Sequence, residues 1–263
     1  MEVFCHKLGQ SLKLTDREGA EVAIPDGLWS AGSEDFHLFV VGRVLSMKQP
    51  KFNALVASIK SMLNLVKGLE MRRLEAGCFL IRFNHIIDRN RALEGCPWSF
   101  EKNTIILSGI GVNENPMTVD LDWCDFFVHV HDLPLSKMNF GMASCIGNSI
   151  GKFRDMEMDD SGRSWGGSLR IRVAINVSQP LMRALRVRTP IGDDLVISFT
   201  YERLQNFYYL CGRLGHILVV CELRFEKGFQ DLGEETPYGA WLRAPPGSWG
   251  GRKAMRTPES PPA

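Results

Sequence analysis

Leu38-Phe39-Val40-Val41-Gly42-Arg43-Val44-Leu45 is short, apolar and rich in branched side chains, the pattern of a buried strand. Pro50 follows near the first turn of a helix, where a missing N–H costs little. Phe52, Leu55, Val56, Ile59, Met62, Leu63 and Val66 then recur at helical spacing, which places them on one face, with Gly68 as the end of the helix. Residues 69–74 and 78–83 read as strands around the turn Glu75-Ala76-Gly77. A short helix over 86–93 is stopped by Gly95-Cys96-Pro97, and 104–107 supplies a last strand. The order is β-α-β-β-α-β, the split βαβ arrangement of ferredoxin-like and RNA-recognition folds, so an α+β domain is predicted over 37–108.

Outward from this domain the chain changes character. Residues 1–36 carry seven acids against three bases, broken by turn signals at Gly9, Gly19 and Pro25-Asp26-Gly27, and read as an acidic arm. Residues 117–203 predict a second, small α/β unit. Its strands fall at 126–132, 169–177 and 195–201, with a further one near 182–187, and its helix at 138–150 is closed by Gly151. Residues 224–263 shift toward Pro and Gly and read as a disordered tail. No internal repeat is evident.

With 44% hydrophobic and 23% charged residues, the chain has the composition of a folded protein rather than a disordered one. Its formal charge of +1 means that any basic surface is local. Apolar runs such as 38–41 and 217–220 fall far short of the roughly 20 residues that span a bilayer, which argues against a membrane partner. Seven cysteines, widely spaced and without a secretory signal over 1–10, suit reduced thiols in an intracellular compartment, nucleus or cytoplasm alike. The nucleophile, zincin and paired-acid motifs are missing, and Gly147-Asn148-Ser149-Ile150-Gly151-Lys152 is one residue short of a phosphate loop. The expectation is a binding protein, neither an enzyme nor a receptor for a small-molecule substrate.

The sharpest local signal is Cys211-Gly212-Arg213-Leu214-Gly215-His216-Ile217-Leu218-Val219-Val220-Cys221. Cys211, His216 and Cys221 have the spacing of the last three ligands of C-x2-C-x4-H-x4-C, a zinc knuckle, so Zn2+ is the implied cofactor. Gly212 and Gly215 permit the tight turns such a loop needs. The first ligand would stand at 208, where the residue is Tyr208, and a phenol titrating near 10 is a poor zinc ligand. The three remaining donors then hold zinc weakly or are remnants in a metal-free turn. Phe207 and Tyr209 flank the turn and suit stacking on unpaired bases.

From Tyr201-Glu202-Arg203-Leu204-Gln205-Asn206-Phe207 into Cys211-Gly212-Arg213, the chain resembles plant proteins derived from LINE-type retrotransposons. In these, a plant domain of unknown function precedes a CCHC-type zinc knuckle. The resemblance continues in Leu93-Glu94-Gly95-Cys96-Pro97-Trp98-Ser99-Phe100 and His129-Val130-His131-Asp132-Leu133-Pro134-Leu135, and spans about residues 37 to 223. It implies nucleic-acid binding and zinc binding, and the chain departs from it at Tyr208.

Charge offers a second route to a nucleic acid. Between 161 and 188 stand Arg163, Arg170, Arg172, Arg183, Arg186 and Arg188 with no acid. Alternation puts Arg170 with Arg172, and Arg186 with Arg188, on one face of each strand. Such a stripe suits phosphates, and equally suits a solvated strand face. The RNA-recognition octamer is best aligned with 76–83, where Cys78 and Leu80 replace the two stacking aromatics. His129 and His131 share a strand face without a fixed third ligand. The expectation is low-specificity binding of RNA or single-stranded DNA through Arg170, Arg172, Arg186, Arg188, Phe207, Tyr209 and Arg213. The competing reading is a vestigial or protein-interaction module that binds neither nucleic acid nor zinc.

Overall fold

The computed structural model describes residues 22–25, 27, 35–159, 164, 166–188, 194–215, 221 and 236–245. Contacts divide the chain into Met1–Phe36 and His37–Ala263. Most of the acidic arm therefore lies outside the described residues, as does His216. The second unit holds two five-stranded antiparallel sheets.

The first sheet is built from β1 (Phe39–Val44), β2 (Leu69–Arg73), β3 (Cys78–Phe83), β4 (Trp98–Phe100) and β5 (Asn103–Gly109). Its helices are α1 (Phe52–Leu63) and α2 (Ile86–Glu94). The strand order is β2-β3-β1-β5-β4, which reproduces the predicted split βαβ topology with one added edge strand. Leu55, Ile59 and Leu63 of α1 pack on Val40, Val44, Phe79, Ile81 and Ile105 to make the core. Gly42 sits beneath Phe79, since a Cβ there would come within 2.5 Å of the ring. Two details differ from expectation. Helix α1 ends at Asn64, in the left-handed region at φ 45°, so Val66 lies beyond the helix and is exposed. The added strand turns back through Glu101 and Lys102, both at positive φ, a hairpin geometry that their identities do not advertise.

The second sheet contains β6 (Trp123–His131), β7 (Lys152–Met156), β8 (Leu169–Asn176), β9 (Ala184–Arg188) and β10 (Asp194–Tyr201). Helix α3 (Phe140–Ile150) starts at Asn139, whose side chain accepts the Met142 N–H at 3.1 Å. Strand β7 follows Gly151 directly and was not predicted. The order β7-β8-β6-β10-β9 is that of the first sheet, strand for strand. The second sheet thus repeats the first without a helix between its third and fourth strands. The repetition lies in topology alone, which explains why the sequence shows no repeat.

Arginines tie the two sheets together. Arg43 of β1 donates to the Leu121 carbonyl and meets Asp122 at 3.2 Å, and Arg172 of β8 donates to the Leu93 carbonyl at 3.2 Å. Arg203, just past β10, reaches the Gly95 carbonyl at 2.9 Å. Among the described residues no helix is long and apolar enough to cross a membrane.

Asp88 of α2 is fully buried and accepts the backbone N–H groups of Val66 and Lys67, each at 2.9 Å, pinning the loop between α1 and β2. Burial alone would raise its pKa, but these donors, with Arg91 and Gly68, outweigh it and hold the carboxyl below its usual range. Asp88 therefore binds its proton more weakly in the folded than in the unfolded chain. The stability it contributes is present at neutral pH and is lost as pH falls through its lowered pKa. Asp88→Ala is expected to cost about 2 kcal/mol in urea denaturation at pH 7. The difference from the parent chain should shrink below about pH 4.

Candidate metal centre and nucleic-acid interface

The arginines of the second sheet divide into two kinds. Alternation along β8 does place Arg170 and Arg172 on one face, away from α3. Arg170, however, lies against Glu202, with Nε 2.6 Å from Oε1 and Nη2 3.0 Å from Oε2, and its guanidinium rests 3.7 Å above the Phe127 ring. Glu202 is only 2% exposed and also meets His129 Nε2 at 2.8 Å, while His129 Nδ1 lies 2.9 Å from the Ser168 hydroxyl. Burial pushes the Glu202 pKa up, yet the bonds from His129 and Arg170 outweigh it and leave the carboxyl below its usual value. Arg172 pairs with Asp125 at 3.0 Å. The side chains of Arg170 and Arg172 are 13% and 17% exposed, so these guanidinia are committed to the fold. His131 bonds Thr200 at 2.8 Å, and its pKa is lowered by burial and by His129.

Arg186 and Arg188 on β9 are different. Both are exposed, beside Val196 and Asp194 of β10, and Arg186 is 74% exposed with a loose 3.6 Å contact to Asp194. An exposed pair of that length contributes little to stability and exchanges readily for a phosphate. Arg183, just before β9, is also exposed.

After β10 the chain makes the turn that the two glycines predicted. Phe207 and Leu214 form an antiparallel bridge. The Tyr208 N–H donates to the Arg213 carbonyl at 3.0 Å, and the Gly212 N–H donates to the Tyr208 carbonyl at 2.7 Å. Gly212 and Gly215 have φ of 70° and 61°, which a side chain would oppose. Cys211 and Cys221 are both buried, and their thiols are within hydrogen-bonding reach of each other. The Arg213 backbone N–H also reaches Cys211, but burial dominates and the Cys211 pKa is raised. Tyr208 faces both thiols, and its phenol is pushed upward by burial and then by those neighbours. The structure therefore brings together positions 208, 211 and 221.

The described part of the knuckle supplies two thiols and a phenol, and the third predicted ligand, His216, lies outside the described residues. Zinc needs deprotonated thiolates or neutral imidazoles in a tetrahedron. The first position holds instead a phenol whose pKa is raised further by its surroundings. Among the described residues no group of three or more His, Cys, Asp or Glu could hold a metal.

The aromatics beside the turn are also placed differently from expectation. Phe207 is 6% exposed, with the Tyr209 ring 5.0 Å away. The Arg243 guanidinium covers both rings, at 5.2 Å and 6.0 Å from their centres. Phe207 is thus not an open stacking surface. Arg213 is partly buried, and its Nε has no hydrogen-bond partner among the described residues. Arg243 belongs to a segment that was read as disordered. Residues 236–245 are instead packed onto the turn, with Leu242 fully buried and the Ala244 N–H donating to the Tyr201 carbonyl at 2.9 Å. Its one sequence signal is Tyr238-Gly239-Ala240-Trp241-Leu242-Arg243, an apolar island in a Pro/Gly background.

On the first sheet Phe39, half-buried, shares a face with Leu80 and Arg82. Cys78 and Leu80 stand on the face opposite the helices, and their neighbours there, Val41 and Ile106, are fully buried. Beside the turn, a cavity of about 300 Å³ is lined by Arg43, Leu45, Met47, Lys48, Gly77 and Leu214 among others, with two cations and no carboxylate on its wall.

Residues 32–110 match the family described as a domain of unknown function (DUF4283), and residues 175–223 match the zinc knuckle family. The chain carries these two in that order. The second match reaches back into β8, so it takes in β9 and β10 together with the turn. The zinc knuckle family implies zinc binding in general. An uncharacterized protein of Arabidopsis thaliana is 26% identical over 100 residues, which are 38% of this chain and 32% of that protein. The chain thus spans about a third of the length of that relative. A crystal structure of the first two RRM domains of the yeast poly(U) binding protein is also similar, at 10% identity, covering 51% of this chain and 81% of that one, with a TM-score of 0.22. A likeness at that score carries no argument, and the fold rests on the strand order seen here.

Restoring the missing thiol tests the reading of position 208. Tyr208→Cys is expected to retain about one equivalent of zinc through gel filtration, measured by atomic absorption, where the parent chain retains well under half.

Proposed function

We propose that this protein binds single-stranded nucleic acid, RNA or single-stranded DNA, with low sequence specificity and without catalysing a reaction. The observation that carries the reading is the exposed pair Arg186 and Arg188 on β9, inside the segment that matches the zinc knuckle family. Two guanidinia on one strand face offer planar, paired donors to successive phosphates, and neutralising phosphates releases counterions from the strand. The cation-lined cavity beside Leu214 offers a recess for a base. Low specificity follows from the contacts available, since phosphate binding positions a strand without reading its sequence. The residues proposed for contact are therefore Arg186, Arg188 and Lys48. The resemblance over 37–223 and the unpaired cysteines support an intracellular protein of retrotransposon descent.

Filter binding of unlabelled-sequence RNA and DNA oligonucleotides over a salt series tests this. The parent chain should lose affinity steeply with salt. The double variant Arg186→Gln, Arg188→Gln should bind about tenfold more weakly at low salt, with the log–log slope reduced by about 1.4, the value for two single-strand phosphate contacts. Binding that does not respond to salt, or a double variant that matches the parent, would favour a module that meets another protein instead.

A further inference from the structure

In a knuckle, a loop too short to bury a core is ordinarily held closed by its metal. Here the first ligand position is Tyr208, and yet the turn over 207–214 is closed by its own bridge and by a second segment that grips it. We infer that residues 236–245 act as a strap that takes over the metal's role at the turn over 207–214, so that this turn keeps its shape without zinc.

The strap holds the turn at three places. At the tip, the Tyr238 N–H donates to the Tyr209 carbonyl at 3.0 Å. The Tyr238 ring lies so close over Gly212 that a Cβ there would be 2.4 Å from a ring carbon. At the base, Arg243 donates to the carbonyls of Leu204 and Gln205 at 3.1 and 3.3 Å and to the Tyr209 hydroxyl at 2.9 Å, while covering the rings of Phe207 and Tyr209. Where the chain leaves the sheet, Arg243 forms a parallel bridge with Tyr201, and Leu242 is fully buried. The strap is anchored from outside as well, because Arg183 donates to the Pro237 carbonyl at 2.7 Å and stacks 5.1 Å from the Tyr238 ring.

One guanidinium thus satisfies two carbonyls, a hydroxyl and two aromatic faces of the segment a metal would otherwise organise. A charged planar fork with five donors does this in a way that lysine cannot. Gly212 has a second role beyond its positive φ, since it is the surface on which Tyr238 lies. The buried Cys211 and Cys221 then pack as small apolar groups.

Hydrogen–deuterium exchange of the full chain separates metal from strap. The amides of Tyr208 and Gly212 report on the turn, and those of β1 and β3 report on the fold. A zinc chelator should leave exchange at Tyr208 and Gly212 unchanged. Arg243→Ala and Tyr238→Ala should each speed it by about tenfold or more while β1 and β3 stay protected, and Arg243→Lys should fail to restore protection. Should Arg243→Ala unfold the first sheet too, Tyr238→Ala and the chelator decide. Faster exchange on chelation, or turn amides that stay protected in the Tyr238 variant, would overturn the inference.

Discussion

A buried carboxylate sets the terms for the second half of this molecule. Glu202 is the first residue past β10, and its N–H donates to the Phe127 carbonyl at 2.9 Å, so its side chain turns inward onto the face of the sheet. Removed from water, that charge is tolerable only when paired, and Arg170 and His129 supply the pairing. The consequence reaches both ways along the chain. It draws Arg170 down onto Phe127, and it fixes the point from which the chain departs toward the turn at 207–214. Arg203, next in line and at a positive φ of 53°, then binds the Gly95 carbonyl and joins this exit to the first sheet.

Much of the architecture was legible because it rests on local periodicity. The short branched apolar run of β1, the turn at Glu75-Ala76-Gly77 that separates β2 from β3, and the spacing of Leu55, Ile59 and Leu63 gave the elements and their order. What stayed hidden depends on partners distant in sequence. Alternation correctly put Arg170 and Arg172 on one face, but nothing local says that Glu202, 32 residues on, waits there for Arg170. The hairpin between β4 and β5 was missed because Glu101 and Lys102 adopt positive φ without the Asn-Gly signature. Strand β7 was missed because Lys152 and Arg154 lie exposed, one over the Trp123 ring and the other near Asp125. The strap was missed because composition outweighed six informative residues, Tyr238 to Arg243.

The same distinction sorts the candidate site. Sequence reasoning recognised the turn, its glycines and the anomaly at Tyr208, all of them local. It treated arginines and aromatics as equivalent surface groups, which they are not. Arg170, Arg172 and Phe207 are interior parts of the structure, whereas Arg186 and Arg188 stand on an edge strand in solvent. The repeated strand order of the two sheets suggests how this division arose. The first sheet has a helix between its third and fourth strands, and among the described residues the second has none there, with β9 as its edge strand.

Paired charge inside the second sheet holds Arg170 and Arg172 in the fold, while Arg186 and Arg188 stay in solvent. The most direct measurement is guanidinium denaturation of Glu202→Gln at neutral pH. Removing this carboxylate's charge leaves Arg170 only its 3.5 Å contact with the half-exposed Glu157, and a loss of about 3 kcal/mol relative to the parent chain is expected. An unfolding midpoint unchanged by Glu202→Gln would contradict it.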